Sequence, residues 1–245
     1  MNRTIEVVSS AESQAHKLQS TIESLRPWFH NIRIHGIQTA PDHFLGDFPA
    51  IKWQPISLAL PDDLEGMSVL DVGCNAGFYS IELKRRGAGR VVAVDIDDHY
   101  LDQARFASAA LGLNIEFRKM SVYEVDTLPG QFDYVLFMGV FYHLRYPIYA
   151  LDKIVSKVGK KLVFQSMLRG SNEARPWKED YSFWETEMFH DPDFPCMYFV
   201  EQSYAGDSTN WWIPNRGAAE AVLRCAGLEI VDHPEAETWI CTPKR

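Results

Sequence analysis

The chain has 245 residues, of which 46% are hydrophobic, and its formal net charge is −9 at neutral pH. This composition excludes a disordered chain, and no apolar run reaches the roughly 18 residues that a membrane helix needs. The acidic balance disfavours a nucleic-acid partner without excluding one, because binding to phosphates needs a basic surface. The first ten residues lack the apolar core of a signal peptide, so we expect a cytoplasmic protein that acts on a small molecule away from membranes.

The N-terminal region, residues 1–61, predicts one helix followed by an ordered entry segment that packs on the rest of the protein. A helix is expected from about residue 10 to residue 26, ended by Pro27. Its apolar positions recur at steps of three and four, at Ala15, Leu18, Ile22 and Leu25. Residues 28–61 combine several prolines with aromatic side chains, a composition typical of irregular packed structure rather than of a flexible linker.

Strands and helices alternate from residue 62 to residue 166. Five strands are predicted near residues 67–73, 91–95, 114–119, 132–138 and 160–166, with helices near 78–86, 98–111 and 147–157. Near-continuous apolar strands separated by helices are typical of a parallel sheet that is covered on both faces. The sequence therefore predicts a doubly wound α/β core.

Residues 167–214 interrupt this alternation with a segment rich in aromatic side chains. So many rings in one insertion favour burial, and we expect the segment to fold as a lid over the carboxyl edge of the sheet. Residues 215–245 then predict a helix near 215–226 and two strands near 228–232 and 238–242 that complete the sheet.

The run Leu-Asp-Val-Gly-Cys-Asn-Ala-Gly at residues 70–77 leads directly from the first core strand into a helix. Gly73 permits a tight turn and a close approach of the backbone to a ligand, and Asn75 tolerates left-handed geometry. Asp95 ends the next strand, where a carboxylate can accept hydrogen bonds from both hydroxyls of a ribose. These residues fit either a nicotinamide dinucleotide or S-adenosylmethionine (SAM).

Residues 70–77 and 91–95 resemble the first two motifs of class I SAM-dependent methyltransferases, and residues 132–139 resemble the motif of their fourth strand. The resemblance implies a Rossmann-like doubly wound sheet that binds SAM. The cofactor-binding residues that it implies are Gly73, Asn75, Gly77, Asp95, Ile96, Ser121, Val122, Met138 and Tyr142.

A narrower resemblance begins with Met-Gly-Val-Phe-Tyr-His at residues 138–143, which is similar to a run in tRNA wobble-uridine carboxymethyltransferases and the related 5-methoxyuridine methyltransferases. This resemblance implies carboxy-SAM, held by basic side chains, and a tRNA substrate. Residues 29–31 (Phe-His-Asn) and Glu237, however, occupy positions where that family has basic residues. Since a carboxylate needs a cationic partner, the residues predict ordinary SAM instead.

We therefore expect methyl transfer from SAM to a small acceptor. The alternatives are a tRNA-modifying enzyme of the same fold, a nicotinamide-dependent oxidoreductase and a non-catalytic SAM-binding subunit. A basic patch beside the pocket would favour the first of these, and side chains filling the pocket would favour the last.

Tyr142 and His143 follow the fourth strand directly, at the edge of the sheet where open α/β folds bind ligands. We expect Tyr142 to cover the cofactor and His143 to act on the acceptor as a base or hydrogen-bond partner. Lys52, His43, His190 and Trp212 are the predicted substrate-binding residues. No metal is expected, because the histidine–carboxylate clusters lie in turns and the cysteines lack paired spacing.

Overall fold

The structure is a computed structural model that describes residues 2–244, with side chains from residue 13 onward. Its helices are α1 (Asn2–Ser24), α2 (Ala50–Leu58), α3 (Phe78–Arg85), α4 (Asp98–Ala110), α5 (Pro147–Val155) and α6 (Arg216–Cys225). Its strands are β1 (Arg33–Ile34), β2 (Ile37–Gln38), β3 (Ser68–Val72), β4 (Arg90–Asp95), β5 (Glu116–Lys119), β6 (Phe132–Met138), β7 (Val158–Gln165), β8 (Met197–Phe199), β9 (Trp212–Pro214), β10 (Leu228–Glu235) and β11 (Thr238–Pro243). Among the helices described, none has the length and hydrophobicity to cross a bilayer.

Seven strands form the central sheet in the order β10-β11-β7-β6-β3-β4-β5. The strands from β3 to β7 pair in parallel, and β11 runs antiparallel to both of its neighbours. The order in which strands are added to the sheet reverses at β3. Strands β4 and β5 lie on one side of β3, and β6 and β7 lie on the other. Open α/β sheets bind ligands at the carboxyl edge beside such a reversal. The predicted doubly wound α/β fold is confirmed.

Apolar residues on alternate sides of each strand build a hydrophobic core on both faces of the sheet. Val69 of β3 belongs to the core covered by the N-terminal region and α3, whereas the adjacent Leu70 belongs to the core covered by α5 and α6. Both side chains are fully buried. Burial on both faces explains why these strands are continuous apolar runs rather than alternating ones.

The N-terminal region differs from the prediction in two respects. Helix α1 begins at Asn2 rather than near residue 10 and ends at Ser24, before the expected end. The entry segment, which the prolines marked as irregular, contains the β1–β2 hairpin and helix α2. Proline disfavours a helix interior, and α2 contains Pro55. The buried side chains of Trp53 and Ile56 nevertheless anchor this helix to the core.

The prediction that the aromatic insertion is buried is wrong for five of its eleven aromatic side chains, which are exposed, whereas the other six are half-buried. Phe183 is 86% exposed and Trp184 is 83% exposed, and their rings contact each other at a centroid distance of 5.0 Å. The regular structure described in the insertion consists of the short β8–β9 pair and a 3₁₀ turn at Glu187–His190. Such short elements offer too little surface to hold the rings against the sheet. The division of the chain into four regions stays a prediction.

We predict that Phe164→Ala lowers the free energy of unfolding by about 3–5 kcal/mol, because it leaves a cavity between packed rings. Phe164 lies within 5.3–6.0 Å, between ring centroids, of Phe137, Phe141 and Trp239. The matched control is Phe183→Ala, which removes an exposed ring and should change stability by no more than about 0.5 kcal/mol. Urea denaturation measures both variants, and equal losses would contradict the described core.

Candidate functional site

The turn between β3 and α3 forms one wall of the site. Gly73, Asn75 and Gly77 have positive φ angles of 74°, 49° and 83°. A β-carbon on Gly73 would overlap the Cγ2 atom of Val140, and one on Gly77 would lie 3.1 Å from the Cβ atom of Ala104. Left-handed geometry and close packing together explain why glycine occupies both positions and asparagine the one between them.

Asp95, at the end of β4, ties this turn to the neighbouring strand. Its Oδ2 atom accepts a hydrogen bond from the backbone N–H of Asn75 at 2.8 Å, and its Oδ1 atom accepts one from Asp97 at 3.0 Å. Burial raises the pKa of the Asp95 carboxyl, although these backbone hydrogen bonds oppose the shift. Each carboxylate oxygen keeps a lone pair for a further donor, so Asp95 can accept ribose hydroxyls while it holds the turn.

Beside Asp95, the exposed side chain of Ile96 offers an apolar contact that suits a nucleoside base. Ile96 is 68% exposed, which is unusual for a large aliphatic side chain next to a buried strand. Ser121 caps the 3₁₀ turn that begins at Val122, and the N–H of Met120 donates to the backbone oxygen of Asp95 at 2.9 Å. This capped turn therefore lies beside the end of β4. The residues fit the adenosine part of SAM, whose adenine would cover Ile96.

Tyr142 and His143 occupy a 3₁₀ turn directly after β6, which the fully buried Phe141 anchors. Burial raises the pKa of Tyr142 to about 12, and the carboxylates of Glu237 and Asp207 raise it as well, so the phenol stays protonated. Burial also lowers the pKa of His143, against the opposing effect of Asp207. Near neutral pH His143 is therefore an uncharged imidazole.

A hairpin turn of the aromatic insertion approaches this pair. Tyr204 and Asp207 are bridged across Ala205 and Gly206, which have positive φ angles of 55° and 78°. Arg169 holds the turn in place, because its Nε atom donates to the hydroxyl oxygen of Tyr204 at 2.6 Å.

This turn brings two polar residues to His143 that the sequence analysis missed. The Oγ1 atom of Thr209 lies 2.9 Å from the Nδ1 atom of His143 and donates to the Oδ1 atom of Asp207 at 2.6 Å. The Oδ2 atom of Asp207 lies 3.5 Å from the same Nδ1 atom. The sequence signal for these residues is the polar run Asp-Ser-Thr-Asn at residues 207–210. It follows Ala205 and Gly206 within an otherwise aromatic segment.

Lys52 forms a charge cluster with two residues of the C-terminal hairpin. Its ammonium pairs with the carboxylate of Glu237 and lies 3.5 Å from an oxygen of Glu235. Glu237 also accepts hydrogen bonds from the Gln165 side chain at 3.2 Å and from the backbone N–H of Leu168 at 3.4 Å. The single ammonium is thus matched by two carboxylates, and the cluster as a whole is negative.

The other predicted substrate residues lie in separate environments. His43 packs among the rings of Phe29, Phe44 and Phe48, and burial lowers its pKa. His190 is exposed in the insertion, and no contact recorded for residues 13–244 joins it to the pocket. The indole nitrogen of Trp212 donates to the backbone oxygen of Arg145 at 3.2 Å, close to the turn of Tyr142. Met138 is buried at the end of β6.

Comparison with known proteins relates the chain to methyltransferases. A model of the methyltransferase domain matches residues 69–160. The tRNA U34 carboxymethyltransferase of Idiomarina loihiensis is 25% identical over 243 residues, which cover 93% of this chain and 65% of that protein. The magnesium-protoporphyrin O-methyltransferase of Rhodobacter capsulatus is 39% identical over 106 residues, which cover 42% of this chain and 44% of that protein. The chain thus spans less than two thirds of the length of these relatives.

Solved structures that contain SAH or SAM share the fold. The N-terminal domain of EvdMO1 with SAH bound matches with a TM-score of 0.66 at 22% identity, over 94% of this chain and 97% of that one. Magnesium protoporphyrin IX methyltransferase (ChlM) from Synechocystis PCC 6803 with bound SAM matches with a TM-score of 0.51 at 15% identity, over 80% of this chain and 76% of that one. These likenesses confirm the predicted Rossmann-like architecture.

We predict that Asp95→Ala weakens binding of S-adenosylhomocysteine (SAH) by about 1.5–3 kcal/mol, because the ribose loses a charged acceptor. The control is Asp102→Ala, which removes a carboxylate that pairs with Arg105 on the surface of α4. Titration calorimetry gives both affinities, and urea denaturation shows whether the turn beside Asp95 remains intact. Equal affinity of the two variants for SAH would exclude Asp95 as the ribose ligand.

Proposed function

We propose that this chain, which carries a SAM-dependent methyltransferase domain of the class I fold, transfers the methyl group of SAM to a small-molecule acceptor. When bound, SAM supplies an electrophilic methyl group on a positively charged sulfonium. The turn at Gly73 would lie against the cofactor, Asp95 would hold its ribose and Ile96 would contact its adenine. The observation that carries the choice of cofactor and acceptor is the charge cluster of Lys52, Glu235 and Glu237.

This cluster favours SAM over carboxy-SAM. An additional carboxylate on the cofactor would need a cation, since charge-assisted hydrogen bonds carry such recognition. The Lys52 ammonium already pairs with Glu237 and lies close to Glu235. His30, the other candidate cation, is buried with its pKa lowered to about 3, so it is uncharged. A carboxylate entering here would meet the two carboxylates of Glu235 and Glu237 beside one ammonium that already pairs with Glu237.

The remaining residues of the site exclude water and align the reactants. Tyr142 presents a protonated phenol next to His143, at a ring-centroid distance of 4.3 Å. The hairpin turn carrying Asp207 contacts His143 through Asp207 and Thr209. Methyl transfer by in-line displacement depends mostly on alignment and desolvation of the two reactants, which together lower the activation barrier.

The acceptor is a small molecule in this proposal because the charge of the chain and of its pocket opposes a polyanion. The formal net charge is −9, and Asp95, Asp207, Glu235 and Glu237 all lie around the site. The magnesium-protoporphyrin O-methyltransferase among the relatives has a small acceptor by its name. Modification of tRNA is the second candidate, because relatives similar over 93% of this chain are tRNA U34 carboxymethyltransferases.

We predict that the protein binds SAM with micromolar affinity, about −7 to −8 kcal/mol, and binds carboxy-SAM at least about tenfold more weakly. Glu237→Arg should narrow or reverse this preference, because it replaces the obstructing carboxylate with a cation. Glu229→Arg makes the same charge change at an exposed position of β10 and should leave the preference unchanged. Calorimetry measures the affinities, and carboxy-SAM found bound to the purified protein would contradict the prediction.

For the acceptor, we predict that radiolabelled methyl groups pass from SAM to the small-molecule fraction of a bacterial extract and not to bulk tRNA. The physical reason is the repulsion between the acidic pocket and a polyphosphate backbone. At micromolar SAM, the Asp95→Ala variant should transfer about 10- to 100-fold less label because its cofactor binding is weaker, and it serves as the control. Label that a nuclease releases from tRNA would support the second candidate, and label in neither fraction would count against the proposal.

A further inference from the structure

His143, Thr209 and Asp207 form a hydrogen-bonded chain beside the 3₁₀ turn that follows β6. We propose that His143 is the catalytic base of methyl transfer, positioned by Thr209 and Asp207, so that the acceptor is a hydroxyl or amine that loses a proton. This inference rests on the proposed function and deepens it, since it names the chemical class of the acceptor. Thr209 and Asp207 come from the insertion, whereas His143 follows a core strand.

The direction of each hydrogen bond follows from what the groups can donate. The Oδ1 atom of Asp207 lies 2.6 Å from the Thr209 hydroxyl and 2.7 Å from the Thr209 backbone nitrogen. An ionised carboxylate only accepts, so the hydroxyl hydrogen of Thr209 points to Asp207. The Thr209 oxygen must then accept from the Nδ1 atom of His143 at 2.9 Å. The imidazole therefore carries its hydrogen on Nδ1 and keeps the lone pair of Nε2 free.

The histidine that carries this nitrogen is partly exposed at the carboxyl edge of the sheet. The side chain of His143 is 31% exposed, and its contacts with the side chains of Thr209 and Asp207 are both made by Nδ1. Tyr142, the neighbouring residue, lies on the same turn at the carboxyl edge of the sheet. An imidazole with Nδ1–H held by a carboxylate through hydrogen bonds is the arrangement by which proteins orient histidine bases.

The proposed step balances without a further reagent. A lone pair on the acceptor oxygen or nitrogen forms the bond to the methyl carbon, and the electrons of the broken carbon–sulfur bond go to sulfur. The acceptor proton passes to the Nε2 atom of His143. Asp207, whose Oδ2 atom lies 3.5 Å from Nδ1, stabilises the imidazolium until it releases the proton to solvent.

Few titratable groups face His143. Asp207 acts on it from the insertion, and Tyr142 adjoins it on its own turn. Strand β9, which packs on this turn, has no titratable side chain. Helix α5, its other neighbour, carries Tyr149, Asp152 and Lys153, of which Lys153 pairs with Asp126. Burial lowers the pKa of His143 and Asp207 raises it, so removing Asp207 should lower the pKa further.

Nuclear magnetic resonance of protein labelled with ¹⁵N-histidine tests the hydrogen-bond chain without an acceptor. We expect the Nδ1–H tautomer for His143 at neutral pH, with the signal assigned from its loss in His143→Gln. Asp207→Asn should lower the pKa of His143 and weaken the tautomer preference. Asp180→Asn, an exposed change elsewhere in the insertion, should alter neither. An Nε2–H tautomer in the unmodified protein would overturn the proposal.

Transfer of labelled methyl groups to the small-molecule fraction tests the chemistry. His143→Gln should slow transfer by about 10²–10⁴-fold, the usual contribution of a general base. The rate should rise with pH as His143 loses its proton, and in Asp207→Asn this rise should move to lower pH. Thr209→Val should slow transfer while SAH binding is retained.

The possible failures can be told apart. An unchanged rate in His143→Gln, or loss of SAH binding in Asp207→Asn, would overturn the assignment of a base and its positioning residue. If the unmodified protein binds SAH and transfers label to neither fraction, the proposed function fails. The tautomer measurement then still decides whether the hydrogen-bond chain exists.

Discussion

The carboxylate of Asp95 is the interaction on which the candidate site depends, because it joins the ends of two adjacent parallel strands. One oxygen holds the turn after β3 through Asn75, and the other holds the start of the next segment through Asp97. The strands behind it are buried on both faces, so these hydrogen bonds rest on a rigid core. Each oxygen keeps a further lone pair that can accept a hydrogen bond from a ligand hydroxyl.

In the proposed function, charge decides which cofactor and acceptor the site takes. Two carboxylates from distant parts of the chain, Glu237 of the C-terminal hairpin and Asp207 of the insertion, both raise the pKa of Tyr142. A negatively charged site with little access to water attracts cations and repels anions more strongly than a fully solvated site does. In the proposed function, the sulfonium of SAM suits this environment better than a cofactor with a second carboxylate. The same charges are the reason why the proposal favours a small acceptor over a polyphosphate chain.

The central sheet and the cofactor turn were predictable from sequence because their signals are local. Continuous apolar runs mark strands buried on both faces, and few residue types adopt the left-handed geometry that Gly73, Asn75 and Gly77 require. Helix α2 was missed because Pro55 argues against a helix, and the burial of Trp53 that outweighs it is a tertiary contact.

The insertion was misjudged for a related reason. Aromatic content indicates burial only where helices or strands hold the rings against a core, and Phe183 and Trp184 lack such support. The contact between His143 and Thr209 joins segments far apart in the chain, so no spacing rule could reveal it. The sequence indicated the site residues that follow the core strands, such as His143. The contacts that the insertion makes with them are seen only in the folded structure.

A crystal structure of the protein with bound SAH tests the central claim most directly. The account predicts the ribose hydroxyls on the carboxylate of Asp95, the adenine against Ile96 and the sulfur facing Tyr142 and His143. It also predicts that Lys52 keeps its pairing with Glu237 in the complex. A ribose without contact to Asp95, or a Lys52 released from Glu237 to bind the ligand, would contradict it.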